Sequence, residues 1–471
     1  MESEKNSAFK VIIAGGSIAG LTLANALARA NIDFLVLEGH GQIDASIGGA
    51  LTIVSNGLQI LDQMGIYDDI RPHLEPAGDV FTYLKDGSLL GKMNTPTLMR
   101  ERHHYPVAWL PREQLLRILY DSVPDKSKVL VNKKVKTVDH SDNGVVVHCE
   151  DGSQYSGSMI AGADGVHSTV RGEMWKHMEE SKKGKSRAKK DRKAITAEYA
   201  CILGISRPTE GLKPGEIHRT WGKGFTTFVN VGEDDQVFFF IFTKMDRKYQ
   251  YSDMPRFSKE DQDAKAETFL DTHLCPGVKF KSVYENAISS AYVPLQEGVI
   301  KSWSWGRFAC LGDAVHKTTP NIGQGASLAI EDAASLANHI VKMVNNHTNL
   351  TSDDINESLT MWGTGLRARA KTVCDGGAMF TRLEALANWP LKLVALYVSP
   401  YLGGVFADIV SLTHLGAPTL DFLPLPEREE SGSMTDDSVT DEKVVVKREK
   451  KPELKLRSYV RAFWAMNLKL K

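Results

Sequence analysis

Apolar positions change their pattern several times along the chain, and each change predicts an element. Lys10 to Ile13 is a short apolar run, followed by GGSIAG, then LTLANALARANI with alanine-rich helical spacing, then DFLVLE. Strand, tight glycine turn, helix and strand in that order predict a βαβ unit. From about Tyr199 to Lys244 the pattern shifts to YACILGIS, FTTFVNV and QVFFFIFTK, rich in β-branched and aromatic residues and divided by Gly, Pro and Asp. These runs predict an antiparallel sheet in a second, substrate-side domain. After Trp303 the α/β character returns: RFACLGDA reads as a buried strand, and SLAIEDAASLANHIVKMV as a helix with apolar positions every three or four residues. The first domain is thus interrupted and resumed.

Three segments depart from these patterns. KKGKSRAKKDRK, from Lys182 to Lys193, is dense in basic residues without apolar periodicity and reads as a solvated surface insertion. Glu427 to about Glu453 is polar and poor in aromatics, as in a disordered linker, and LKLRSYVRAFWAMNLKLK beyond it is a basic amphipathic tail. Leu391 to Leu412 is strongly apolar but broken by Lys392, Pro400 and Asp408. It falls short of the ~20 apolar residues of a bilayer-crossing helix and is expected to form helices packed on the body. With the basic tail it offers a peripheral membrane contact.

Composition narrows the function classes. A chain of 471 residues is expected to form one large or two closely joined domains. Its 57 basic and 58 acidic residues leave a net charge of −1, so no nucleic-acid partner is expected. Cys149, Cys201, Cys275, Cys310 and Cys374 are scattered singly, which suits a reducing compartment and argues against a metal site. The leader MESEKNSAFKVIIAGG has no signal-peptide pattern. A cytoplasmic protein is therefore expected, not a secreted one, with association at the ER face as a further expectation; oligomeric state is not legible.

Candidate chemistry lies at three glycine turns. In Gly15-Gly16-Ser17-Ile18-Ala19-Gly20 the glycines allow a sharp bend and a close backbone approach to a pyrophosphate at the helix N-terminus. Glu38, eighteen residues after Gly20, ends the next strand and would accept ribose hydroxyls. The second turn is AGADGVHSTVR, residues 161–171, whose simplest reading is a strand-to-helix turn capped by Ser168. In the third, CLGDAVHKTTPNIGQGASLAIEDA, a buried strand delivers Asp313, suited to ribityl hydroxyls, and a loop with Gly323 and Gly325 opens a helix.

These three motifs in this order, with Leu110-Pro111-Arg112-Glu113-Gln114-Leu115, resemble the FAD-dependent aromatic-hydroxylase class of monooxygenases, the single-component group A flavoenzymes, over roughly residues 8 to 375. A closer likeness, to fungal secondary-metabolite epoxidases of indole-diterpene, meroterpenoid and polyene α-pyrone pathways, rests on four segments. They are Ser55-Asn56-Gly57 with LQILDQMGIYDDI, EYACILGIS, KSWSWGRFACLGDAVHKTTPN and TRLEALANWP. Ser17, Ser55 and Ser327 stand where glycine, proline and asparagine are usual.

The resemblance implies an α/β (α+β two-domain) fold: a Rossmann-like GR2-type FAD domain, an inserted antiparallel-sheet substrate domain and a C-terminal helical extension. Residues 8–75, 102–175 and 296–375 are assigned to the FAD domain, 76–101 and 194–295 to the substrate domain, and 176–193 to the basic insertion. Residues 376–426 are assigned to C-terminal helices and 427–471 to the linker and tail. The resemblance places Thr52, Arg112, Asp164 and Ala326 on FAD beside Gly15, Gly16, Gly20, Glu38, Asp313, Gly323 and Gly325. It implies NADPH as co-substrate and an apolar substrate to which one atom of dioxygen is passed. Epoxidation of an alkene needs no deprotonation, whereas phenol hydroxylation gains from a base. His218 and Tyr199 are the candidate catalytic side chains. Phenol hydroxylation on the same fold is one alternative, and a non-catalytic prenyl-binding protein of FAD fold is another.

Overall fold

The computed structural model describes residues 9–44, 50–232, 235–347 and 350–428. It begins with β1 (Lys10–Ala14), α1 (Ile18–Arg29) and β2 (Asp33–Leu37). The two strands pair in parallel from Lys10 with Asp33 to Ala14 with Leu37. Val11, Ile12 and Ile13 are fully buried, covered on both faces, which is why the strand reads as an unbroken apolar run. Next come β3 (Ala50–Ile53), α2 (Ser55–Gln63), β4 (Val80–Leu84), α3 (Thr95–His103), β5 (Ala108–Pro111) and α4 (Arg112–Asp121). β6 (Met159–Gly162) returns to lie parallel to β1. The completed sheet has the order Ser304–Trp305, Phe308–Cys310, β6, β1, β2, Val129–Leu130.

Helices α5 (Thr169–Glu179) and α6 (Lys182–Asp191) follow. Helix α6 refines the expectation for the basic segment: its residues are exposed apart from Gly184, Ala188 and Asp191, as a solvated surface segment requires, and it forms a capped helix docked on the body. Ser181 Oγ accepts from Gly184 N–H, Ala188 is buried, and the buried Asp191 carboxylate accepts from the N–H groups of Lys301 and Ser302. Its apolar signal consists of one alanine and one glycine against the core, too little to show as periodicity among ten residues.

The substrate-side sheet is built from β7 (Thr196–Ser206), β8 (Ile217–Gly222), β9 (Phe225–Val231), β10 (Val237–Gln250) and β11 (Ala287–Val299). Its order is His316–Lys317, β11, β7, β10, β9, β8, β4, Leu89–Met93, all antiparallel except β4 with β8. Alternation sorts its side chains. Ile202, Val229, Phe239 and Ile241 pack on one face with Phe280 and Val283. Tyr199, Cys201, Phe228 and Phe242 pack on the other with Trp109 of β5. Because β5 pairs with β3, whose Thr52 borders Gly323, and Arg219 on this face donates to the Asn321 carbonyl, this second face looks toward the third glycine turn.

The chain ends with α7 (Gly325–Asn346), α8 (Ser352–Glu384), α9 (Trp389–Tyr397) and α10 (Gly403–His414). Helix α8 runs unbroken for 33 residues through position 375, where the sequence reading divides the FAD domain from the C-terminal helices. Helices α9 and α10 meet at a 104° bend, and no single described helix is long and apolar enough to cross a membrane. After them Leu420 is buried, and Arg428 pairs with Asp62 at 2.5 Å. The rest of the predicted linker and the basic tail lie outside the described residues.

Candidate functional site

The first turn is shaped by contacts only glycine permits. Gly15 has φ +103°, and a Cβ there would stand 2.4 Å from the Ala163 carbonyl oxygen; one on Gly20 would stand 1.9 Å from the Gly15 carbonyl oxygen. Helix α1 therefore rests directly on the turn. Its first turn holds no acidic residue, and Ser17 at its N-cap makes no side-chain cap bond, so its leading N–H groups are free to meet an anion. Glu38 closes the turn's far side: its carboxylate accepts from Gly16 N–H at 2.6 Å and His40 N–H at 2.8 Å. Ser17 itself accepts a hydrogen bond from Arg112 Nη2 at 2.8 Å, which gives the serine at a glycine position a partner. Burial lowers the Arg112 pKa, and the charges of Asp313 and Glu38 oppose that shift. Residues from three separated motifs thus converge on one locus.

The second turn has the simpler of its two readings. Ser168 Oγ accepts from Arg171 N–H at 2.9 Å and donates to Asp164 Oδ1, while Asp164 Oδ2 accepts from Val170 N–H at 3.0 Å. The Asp164 carboxylate, its pKa raised by burial, is committed to capping α5. Arg171, fully buried, then donates to the carbonyls of Val166 at 2.7 Å and Ala314 at 2.6 Å, fastening this turn to the third. Asp164 is therefore a helix cap that fixes this turn beside Gly15 of the first one.

At the third turn Gly312 (φ +61°) and Gly323 (φ +63°) take left-handed conformations. A Cβ on Gly323 would meet the Thr52 side chain at 2.6 Å, so Thr52 borders the loop; one on Gly325 would meet nothing within 4 Å. Asp313 is half-exposed and paired with Lys317. Helix α7, which starts at Gly325 and Ala326, has no acidic first-turn residue and no side-chain cap. Two uncapped helix N-termini, the acidic Glu38, Arg112 between Glu38 and Asp313, and open space above Gly325 fit an FAD. Glu38 would hold its adenosine ribose, the α1 turn its pyrophosphate, Asp313 its ribityl chain, and Thr52 with the Gly323–Ala326 loop its ring.

Sequence reading missed the buried charges beneath this loop. Glu331 accepts a bidentate pair from Arg369 at 2.6 Å and a bond from Asn56, which also donates to Gln324 at 3.1 Å. Asp332 accepts from Gly312 N–H and from His316 Nε2, both at 2.7 Å. Burial disfavours a charged imidazole at His316, but Asp332, together with Asp313 and Glu331, outweighs it and raises the pKa. Glu384 binds Arg219 and Asn321, and Arg219 Nη2 donates to the Asn321 carbonyl at 3.0 Å. The signal was available: adjacent carboxylates on the apolar face of α7 need partners.

Of the two candidate catalytic side chains, the structure removes His218 from the site. It lies on the sheet face away from the glycine turns, 3% exposed, stacked on Phe81 at 5.5 Å and Tyr83 at 6.1 Å. Burial lowers its pKa, with Glu216 at 3.4 Å opposing. His218→Phe is expected to leave FAD content and turnover within about two-fold of wild type, since it keeps the stack and touches nothing at the site; a loss of turnover with FAD retained would return His218 to the mechanism. Tyr199 is on the correct face, beneath the Arg382 guanidinium at 5.7 Å. Burial, reinforced by Glu198, pushes its phenol up to about 12, so it remains protonated at neutral pH. A cleft at the Phe238 end of the same face is lined by His73, Trp109, Leu110, Pro111, Gly232, Gln236 and Phe238.

Comparison with known proteins agrees with this geometry. Residues 8–194 and 221–351 match the FAD binding domain family. The chain is 40% identical to the FAD-dependent monooxygenase spyC of Aspergillus fumigatus over 90% of each chain. It is 39% identical to the FAD-dependent monooxygenase penE of Penicillium thymicola over 90% of this chain and 89% of that protein. Its fold is similar to that of Klebsiella pneumoniae HpxO complexed with FAD and uric acid, with a TM-score of 0.69 and 21% identity over 87% of this chain and 97% of that one. Sequence likeness across nine-tenths of the chain and a site built to hold FAD lead to one conclusion: the chain belongs to the FAD-dependent monooxygenase family.

Proposed function

We propose that this FAD-dependent monooxygenase uses NADPH and dioxygen to epoxidise an alkene in a polyene or prenyl chain, in fungal secondary-metabolite biosynthesis. The balance is alkene, O2, NADPH and a proton giving epoxide, water and NADP+. Bound FAD would supply the oxygen-transfer chemistry, and the chain's own residues would orient the alkene and keep water out. The observation that carries the reading is the make-up of the sheet face turned to the site. Phe228, Phe240 and Phe242 pack edge to face and face to face, and Trp109 stands 6.1 Å from Phe228. Among the described residues this face presents no free base for phenol deprotonation. Tyr199 is held protonated, the Arg219 cation is neutralised by Glu384, and His73 is hydrogen-bonded to Gln114 at 3.1 Å. Incubating the holoenzyme with NADPH, oxygen and a farnesylated aromatic compound is expected to give a product with one oxygen added across a chain double bond. Oxygen on the aromatic ring instead would support the hydroxylase reading.

The same proposal extends to a cytoplasmic enzyme that meets a membrane peripherally. Trp389 is 74% exposed and Tyr401 86%, with Leu393, Tyr397 and Val398 also exposed around the α9–α10 bend. Aromatic and aliphatic side chains grouped this way suit the interfacial layer of a bilayer, from which an apolar substrate would be drawn. Co-sedimentation with phosphatidylcholine–phosphatidylserine vesicles is expected, and a Trp389→Ser, Tyr401→Ser variant should lose about ten-fold in partitioning. Equal partitioning of the variant would contradict this contact.

A further inference from the structure

Two positions on β9 share one face by strand alternation, Phe228 and Asn230, and Gly232 follows directly after the strand. Phe228 lies against Trp109, while Gly232 lines the cleft with Trp109 and Phe238. Asn230 stands between them, opposite Phe238 on β10 and Ile217 on β8. It is 1% exposed, yet neither its carboxamide oxygen nor its nitrogen has a hydrogen-bond partner among the described residues. Trp109 Nε1 is likewise buried and unpartnered. An unmet buried polar group costs about 1–3 kcal/mol; with Trp109 lining the cleft and Asn230 opposite its lining residue Phe238, the two point to a ligand that satisfies them.

We infer that Asn230 and Trp109 form the polar anchor of the substrate pocket, binding a neutral head group that carries a hydrogen-bond donor and acceptor side by side, of the lactam N–H/C=O type. This deepens the proposed function and rests on it. The Asn230 oxygen accepts from the ligand N–H, and the Asn230 amide and the Trp109 indole N–H donate to its carbonyl. A carboxylate head would not find a free cation in Arg219, the neighbouring guanidinium, because Glu384 holds it. The apolar chain then runs from the anchor across Phe228 and Phe240, toward the level at which Arg219 contacts the Asn321 carbonyl. Tyr199 is not part of the anchor: it pairs with Lys244, six residues along β10 from the Phe238 partner of Asn230, or about 20 Å.

The test uses FAD-loaded enzyme and two probes, 3-farnesyl-2-pyridone and its N-methyl derivative, with affinity read from the flavin absorbance change on titration. Wild type is expected to bind the N–H probe at least about ten-fold more tightly. Asn230→Leu should abolish that preference while binding the N-methyl probe no more weakly and retaining its FAD; Trp109→Phe should weaken both probes. Equal affinity of wild type for the two probes, or a preference that survives in flavin-replete Asn230→Leu, overturns the inference. If Asn230→Leu loses its flavin, the wild-type probe pair decides alone. Oxygenation of both probes with equal affinity sinks the anchor and leaves the monooxygenase reading intact. Absence of any NADPH- and oxygen-dependent product overturns both.

Discussion

Arg369→Met is expected to destabilise the fold by about 3–5 kcal/mol at pH 8, because it leaves the Glu331 carboxylate buried without its cation. The pair is bidentate at 2.6 Å, and the Glu331 side chain is 1% exposed. Even with Arg369 present, burial raises the Glu331 pKa, so the folded variant would take up a proton that the unfolded chain does not. The folded-state pKa then lies above the unfolded one. The deficit is accordingly greatest well above the folded-state pKa and shrinks as pH falls toward the unfolded carboxylate value. Urea unfolding at pH 8 and pH 5.5 reads both the loss and its slope. Adding Glu331→Gln, which removes the charge and keeps an acceptor for Asn56, should recover much of the stability. A deficit below about 1 kcal/mol at both pH values would mean that the network does not carry the loop above it.

Gly20→Ala is the second large effect, and it falls on cofactor binding. The new Cβ would lie 1.9 Å from the Gly15 carbonyl oxygen, a backbone atom that can yield only if α1 lifts off the turn. Overpacking of this kind costs about 1–3 kcal/mol, or roughly 5- to 150-fold in FAD affinity if the strain falls on the bound state. Gly16→Ala is a useful contrast. Its Cβ would meet the Ile43 side chain at 2.9 Å and the Glu38 side chain at 3.1 Å, and side chains can shift. Flavin retained through gel filtration should fall in the order wild type, Gly16→Ala, Gly20→Ala. Full retention by Gly20→Ala would show that the close approach of helix and turn is not needed to hold the cofactor.

What could be read from the sequence follows the range of each interaction. The βαβ unit, the aromatic strands and the glycine turns are local patterns, and they stand in the structure at β1–α1–β2, at β7, β9 and β10, and at Gly15, Gly312 and Gly323. The face that a residue presents is less secure. Placing His218 in the pocket required the parity of β8, and a one-residue difference decides between His218 on the outer face and Arg219 on the inner. Asp164 is ambiguous in a different way, since an aspartate before a helix suits a cap as well as a cofactor contact, and only the bonds to Ser168 and Val170 show that it caps α5. The partners of Glu331, Asp332 and Glu384 lie 16 to 275 residues away in sequence. No local pattern reveals them, although the need for partners is evident once the carboxylates are known to be buried.

Release of flavin from the purified protein tests the central claim most directly, because the three turns are read as one site for one FAD. Denaturing the yellow protein is expected to release one FAD per chain, with the Gly20→Ala protein releasing markedly less. A colourless wild-type protein that binds no added FAD would contradict the account.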